Sequence, residues 1–296
     1  MEITTLGTSS MVPTANRNHS ATLLSYKNEK ILIDCGEGTQ RQFRKARISP
    51  VKITKILITH WHGDHVLGLP GLMLTLGHSD YKKTLDIYGP KGTKKFMSYI
   101  YKFFDTRSKI DYKVHEIENG MFFENNEFKL EAAELDHGEA CLAYSFIEKD
   151  KRKIDKKYLE KHKIKANPKL KLLQEGKNII YKDKKILASK ATFVVPGKKI
   201  TFIPDTGICK NTIKIAKNSD LLFCESTFLT ELQEKARETH HLTVKDATNI
   251  AKKSKSKRLV LTHFSQRYND LKVFEKEAKQ HFKNTEIAED LKKFKL

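Results

Sequence analysis

Short apolar runs of β type alternate along this chain with stretches at helical spacing, and no segment recurs at a fixed period. That alternation restricts the chain to a layered α/β architecture, because each kind of element must bury one face against a layer of the other. Strands are predicted over Met1 to Leu6, Ser20 to Tyr26, Lys30 to Asp34, Thr54 to Thr59, Leu85 to Tyr88, Tyr112 to Ile117, Glu127 to Leu135 and Ala140 to Phe146. After a basic interruption they resume at Lys199 to Ile203, Leu221 to Cys224 and Arg258 to Leu261. Helices are predicted over Gly36 to Lys45, Val66 to Leu76 (bent or delayed by Pro70 and Gly71), Asn211 to Lys217, Thr243 to Ser254 and Leu271 to His281.

The strand-like KILIT run ends in THWHGDH, residues 59 to 65, which places three imidazoles and a carboxylate within seven positions. Gly63 lets the chain turn sharply there. His60 and His62, two apart in an extended segment, project the same way and can chelate one cation, while Asp64 and His65 fall beyond the turn, where a second can sit. Surface histidines without a ligand would explain any one of these residues. Four ligand-type side chains in six positions at a strand end favour a metal site.

Two ions need more donors than four, and His137, Asp205 and His263 each lie just past a strand-like run. Carboxyl ends of strands share one edge of an α/β sheet, so separate strands can deliver these side chains to one place. His19, His78, His115, His162 and His281 lack that placement and read as ordinary.

Charge adds a partner. The formal net charge is +20 over 296 residues, and Lys149 to Lys185 alone holds 14 Lys and 1 Arg against 5 acidic residues. A solvated lysine-rich face is the plain reading of such a run, but Leu159, Ile164, Leu170, Leu172, Leu173, Ile179, Ile180, Tyr181 and Ile186 punctuate it. A helix followed by a small hairpin is predicted, hence a folded basic protrusion suited to a polyanion. Cys35, Cys141, Cys209 and Cys224 form no CxxC pair and predict buried thiols rather than disulfides. No apolar run reaches the length of a membrane span and the first residues lack a secretory pattern, so a cytoplasmic protein is expected.

These segments resemble the metallo-β-lactamase fold and, within it, the ribonuclease Z family, endonucleases that mature tRNA 3′ ends. THWHGDH with LGLPGL resembles the family's histidine motif, LIDCGEGTQRQ its early Asp-containing turn, and DIYGPKGT its next strand and loop. LDHGEACLAYSF is similar to the third motif, FIPDTG to the bridging-aspartate motif, LLFCESTF and THHLTVKDA to two catalytic loops, and KRLVLTHFSQRY to the last histidine motif. The resemblance implies a four-layer αββα sandwich over residues 1 to 296, with an inserted tRNA-binding arm at 149 to 190.

By resemblance, His60, His62 and His137 hold one zinc ion, Asp64, His65 and His263 the other, Asp205 bridges them, and Asp34 supports from behind. Two zinc ions per subunit are implied, although His and Asp donors also accept Mn²⁺ or Fe²⁺. Two cations can share a hydroxide and clamp a phosphodiester oxygen, with Asp64 orienting or deprotonating the water. His241 is implied as proton donor to the leaving ribose 3′-oxygen, with Glu225 orienting it; a cap or loop-packing role is the plain alternative for His241. Cys224 stands where the family carries histidine, and Ala15, in VPTANRNHS, where it carries lysine. Arg17 and Asn18 of that loop, Thr243 at a helix start, and Lys169 and Lys171 of the arm are the implied substrate contacts.

The implied activity is cleavage of the 3′ trailer from precursor tRNA, leaving a 3′-hydroxyl on the tRNA and a 5′-phosphate on the trailer, by a homodimer. The alternatives are a hydrolase of small phosphodiesters or esters, which would keep the metal residues and lack the arm, and a non-catalytic RNA binder, which would keep the arm and lose metal residues.

Overall fold

The computed structural model describes residues 1–103 and 110–296. Among the described residues two seven-stranded sheets dominate. The first runs, in spatial order, Lys293–Lys295, Glu2–Gly7, Ala21–Tyr26, Glu29–Ile33, Lys55–Leu57, Leu85–Gly89 and Tyr112–Glu116. Its amino-terminal strands pair antiparallel, whereas Glu29–Ile33 onward pair parallel. The second runs Thr285–Ile287, Leu259–Thr262, Leu221–Glu225, Lys199–Ile203, Leu142–Glu148, Phe128–Glu134 and Gly120–Glu124. Its pairs from Lys199–Ile203 to Thr285–Ile287 are parallel.

Each sheet carries helices on one face. Phe43, Leu69, Leu72, Met73, Leu76 and Met97 bury against Leu23, Leu32, Ile56, Ile58, Leu85 and Ile87 of the first sheet. Ile215, Val244, Ala247, Ile250, Ala251 and Phe274 do the same against Ile203, Leu222, Leu259 and Leu261 of the second. The sheets' other faces meet: Tyr26 lies 5.1 Å from Phe146 and Phe223 lies 5.3 Å from Phe294, ring centre to ring centre. Helix, sheet, sheet, helix is the expected αββα sandwich.

The near-continuous apolar character of strands such as Leu221–Glu225 follows from burial on both faces. Period-two alternation then sends Leu222 and Cys224 toward the helices, and Phe223 and Glu225 into the seam between the sheets.

Several elements differ from expectation. The helix expected over Val66 to Leu76 is two helices, Gly63–Val66 and Leu69–His78, because Pro70 sits in the first turn of the second, where its missing N–H costs nothing. The carboxyl-terminal strand Lys293–Lys295 was not predicted; it buries Phe294 alone of its three residues. Helix Thr93–Phe103 was likewise not predicted, since its lysine-rich first turns mask the apolar stripe. Cys35, Cys141 and Cys224 are the expected buried free thiols, whereas Cys209 is half-buried, at the N-cap of Lys210–Ala216.

Residues Glu124–Lys129 and Ile147–Lys198 form a compact unit of their own. Within it Lys151–Ile154 pairs antiparallel with Thr192–Val195, and the predicted hairpin is Ile179–Tyr181 with Lys184–Ile186. The predicted single helix is two short ones, Lys156–Lys161 and Leu170–Gln174, the first capped by Asp155 accepting from the Tyr158 N–H. Ile164, Leu173, Ile179, Ile186, Ala188 and Ala191 make its core. Lys169 and Lys171 are exposed on it.

Candidate metal centre

The donors rise from two sheets, not from the single sheet edge expected. His60, His62, Asp64 and His65 follow Lys55–Leu57 of the first sheet; His137 lies between Phe128–Glu134 and Leu142–Glu148, Asp205 follows Lys199–Ile203, and His263 follows Leu259–Thr262 of the second. Asp34 and His263 hold left-handed backbone, at φ 57° and 61°, conformations that non-glycine residues adopt at a cost.

Two donor sets share Asp205. One atom each from His60, His62, His137 and Asp205 lie within 4.8 Å of one another, and so do one each from Asp64, His65, Asp205 and His263. In the second set His65 Nε2 is 3.3 Å from His263 Nε2 and 3.4 Å from Asp64 Oδ2, and His263 Nε2 is 3.1 Å from Asp205 Oδ1. Tetrahedral bonds of about 2.0–2.1 Å place neighbouring donors about 3.3 Å apart, so these side chains are spaced as a zinc-sized ion needs. In the first set His62 Nδ1 is 3.2 Å from His137 Nε2, and Asp205 Oδ2 is 3.7 Å from His137 Nε2 and 3.8 Å from His60 Nε2.

The hydrogen-bond network assigns which imidazole nitrogens are bare. His65 Nδ1–H donates to Asp34 Oδ2 at 2.7 Å and His137 Nδ1–H to the His240 carbonyl at 3.0 Å. Thr59 Oγ1–H donates to Asp34 Oδ2, so Thr59 Oγ1 accepts from His60 Nδ1–H at 3.0 Å. Thr227 Oγ1–H donates to Glu225 Oε2, so it accepts from His263 Nδ1–H at 3.1 Å. The Nε2 lone pairs of His60, His65, His137 and His263 therefore converge, and His60 Nε2, Asp64 Oδ1 and Asp205 Oδ1 are buried with no hydrogen-bond partner among the described residues. Bare lone pairs in contact are what a divalent cation reconciles, and the residues fit one.

Burial, reinforced by His65, holds the His60 pKa well below the imidazole norm, and burial lowers that of His137, so both favour the neutral, ligating form. Burial opposes the charges of Asp64 and Asp205, yet surrounding imidazoles prevail and keep both carboxyls well below the usual range. Burial also opposes a charge on His65, but Asp205, Asp34 and Asp64 together raise its pKa well above the norm, so a cation bound there takes the place of the His65 Nε2 proton and frees the lone pair.

His241 sits beside this centre, lining one cleft of 330 Å³ with His62, Asp64, His137 and Asp205. Its Nδ1–H donates to Glu225 Oε1 at 3.0 Å. Burial would strip its charge, but Glu225, then Asp205 and Asp64, push its pKa up to about 9. Glu225 is fully buried and accepts from Thr206 N, Leu242 N, His241 and both donors of Thr227. So committed, it has no lone pair to spare for an ion, and the third spatial grouping of Glu225, His241 and His263 is a hydrogen-bond system. Cys224 points the other way, into the helix-side core, where burial pushes its thiol pKa far up, so this departure from histidine lies outside the cleft lining.

The remaining expected contacts are mostly engaged within the fold. Arg17 is buried and donates to the carbonyls of Tyr268 and Ser265, while Asn18 Nδ2 donates to the Glu37 carbonyl. Thr243 is the N-cap of Val244–Lys253, in a reciprocal capping box with Asp246. Sequence reasoning missed Thr59, Thr227 and His19; the last, read as ordinary, bonds through Nε2 to the Met11 carbonyl while Met11 N–H donates to Asp64 Oδ2. Only the adjacency of Thr59 and Thr227 to predicted site residues could have flagged them.

Comparison with known proteins gives a consistent neighbourhood. The family model described as anti-Pycsar protein Apyc1 matches residues 1–151, and the beta-lactamase superfamily domain matches residues 179–264. A ribonuclease Z of Methanothermobacter thermautotrophicus is 38% identical over 293 residues, covering 98% of this chain and 95% of its own. One from Bacillus cereus is 40% identical over 306 residues, covering 99% of each. The crystal structure of human tRNase Z, short form, superposes with a TM-score of 0.74 at 29% identity, covering 100% of this chain and 99% of that one. The metallo-beta-lactamase fold protein YhfI from Bacillus subtilis, at 18% identity and a TM-score of 0.71, covers 99% of this chain and 98% of its own and shares the fold.

Proposed function

Because the chain belongs to the ribonuclease Z family, we propose that it is an endoribonuclease that cuts the 3′ trailer from precursor tRNA, leaving a 3′-hydroxyl on the tRNA and a 5′-phosphate on the trailer. The observation that carries this reading is one cleft lined by members of both donor sets, His62, His137, Asp64 and Asp205, and beside them a histidine bonded to a buried carboxylate.

His60, His62 and His137 would hold one zinc ion, Asp64, His65 and His263 a second, and Asp205 would bridge; Mn²⁺ can replace zinc at such donors. When bound, the ions supply Lewis-acid stabilisation of phosphodiester charge and a more acidic water. The chain's own residues do the rest. Asp64 orients the attacking water through Oδ1, its acceptor without a protein partner. As the water oxygen bonds to phosphorus and the bond from phosphorus to the ribose 3′-oxygen breaks, His241 gives its Nε2 proton to that oxygen, and the water's proton passes to solvent. Glu225 holds His241 in the charged form that can donate.

The basic unit with exposed Lys169 and Lys171 serves as the tRNA arm, through phosphate contacts that need no base sequence. The enzyme acts as a cytoplasmic homodimer; among the described residues no helix is long and apolar enough to cross a membrane.

The test is cleavage of a labelled tRNA precursor bearing a 3′ trailer, by zinc-loaded wild type and His65→Ala. The expected result is a single cut after the discriminator nucleotide by wild type and loss of that cut in the variant. Wild type that leaves the precursor whole yet hydrolyses small phosphodiesters overturns the tRNA assignment.

A further inference from the structure

The two sheets hand the cleft the same device twice. On the first, Asp34 accepts from Thr59 N at 2.8 Å and from Thr59 Oγ1–H at 2.8 Å; Thr59 Oγ1 accepts from His60, and His65 donates to Asp34 directly. On the second, Glu225 Oε2 accepts from Thr227 N at 3.0 Å and from Thr227 Oγ1–H at 2.8 Å; Thr227 Oγ1 accepts from His263, and His241 donates to Glu225 directly. In both, one carboxylate fixes one imidazole itself and a second through a threonine hydroxyl. Both threonines are buried, at 1% and 2% exposure, so water cannot replace the hydroxyl.

We infer that Thr227 is a positioning residue that fixes the ring of His263 toward one donor set and ties it, through Glu225, to His241, with Thr59 playing the matching part for His60 in the other set. The inference rests on the metal reading above. Its physical basis is donor bookkeeping: without the hydroxyl, His263 Nδ1–H has no other acceptor among the described contacts, and the ring is free to turn its bare Nε2 away from Asp64 and Asp205. The hydroxyl also lies 3.3 Å from His241 Nδ1, which makes it the common neighbour of the ligand and the proton donor.

The arrangement predicts an asymmetric effect on the two ions. Thr227→Val keeps the branched shape and removes the hydroxyl; Thr227→Ser keeps the hydroxyl. Zinc release from the loaded protein to a chromophoric chelator is followed in wild type, in both variants, in Thr59→Val and in the Thr59→Val, Thr227→Val double variant. Expected is release of one of two zinc ions about 10- to 100-fold faster in Thr227→Val, with the other held at the wild-type rate, since lost supporting contacts cost metal sites about that much. The retained ion reports that the fold is intact. Thr227→Ser should release both slowly, and the double variant should release both fast. Wild-type release from Thr227→Val, fast release of both ions from it alone, or failure of Ser to rescue overturns the inference. A wild type that binds fewer than two ions overturns it together with the metal reading, whereas uncut precursor tRNA with two slow ions sinks only the substrate assignment.

Discussion

A histidine can serve as an acid at neutral pH only if something outweighs its burial. At His241 that something is Glu225, whose charge and hydrogen bond, aided by Asp205 and Asp64, lift the pKa to about 9. The charged form prevails below that value and is lost above it, so the rate of precursor cleavage should fall on the alkaline side as pH rises through about 9. Glu225→Gln removes the largest raising influence and leaves burial, which lowers the pKa; the alkaline fall should move toward neutrality, read from a pH–rate profile. His241→Ala should lower kcat about 10²- to 10⁴-fold, the usual share of one positioned acid, while leaving the zinc content unchanged by elemental analysis. The cluster His60, His62, Asp64 and His65 was legible in the sequence because ligand chemistry restricts such positions to few residue types at short spacing, whereas His241 and Glu225 were reached only through resemblance to the family's loops. Thr59 and Thr227 were not legible, since a threonine beside a strand end is common and only the folded network shows what its hydroxyl accepts.

Elements set where those residues stand, and two joints can be tested. Thr243 caps the helix Val244–Lys253 with a hydroxyl that accepts from Asp246 N–H. Thr243→Ala should cost about 1 kcal/mol of stability, seen as a midpoint lowered by about 2 °C in thermal unfolding. Gly68, between the helices Gly63–Val66 and Leu69–His78, donates its N–H to the Cys35 carbonyl at 2.8 Å. A Cβ there would stand 2.0 Å from the Gly36 carbonyl oxygen, a backbone atom that cannot step aside. Gly68→Ala should therefore destabilise by about 3 kcal/mol, measured by denaturant unfolding. Parallel strands such as Leu221–Glu225 and Leu259–Thr262 were readable because burial on both faces leaves apolar runs. Lys293–Lys295 and the short arm helices were not, because three to six residues give periodicity too few repeats to register.

At the scale of the molecule the charge of +20 should make RNA binding steeply dependent on salt. Lys169 and Lys171 are exposed on a unit with its own core, so Lys169→Ala, Lys171→Ala should leave folding unchanged. If both reach phosphates, the slope of log K against log salt should become shallower by about one for each lysine, from binding titrations at several salt concentrations. An unchanged slope would take both residues out of the interface. The basic interval and its hairpin were plain from the sequence, whereas the division of its helix into two goes with packing around Ile164 and Leu173.

The donor atoms are spread from His60 to His263 and belong to two different sheets. A ribosome therefore releases the histidine-rich turn long before it makes the aspartate and histidine that complete either grouping. On the proposed reading, a prematurely terminated copy lacking His263 would be an unarmed nuclease, because neither the second grouping nor its cut could form until almost the whole chain is made.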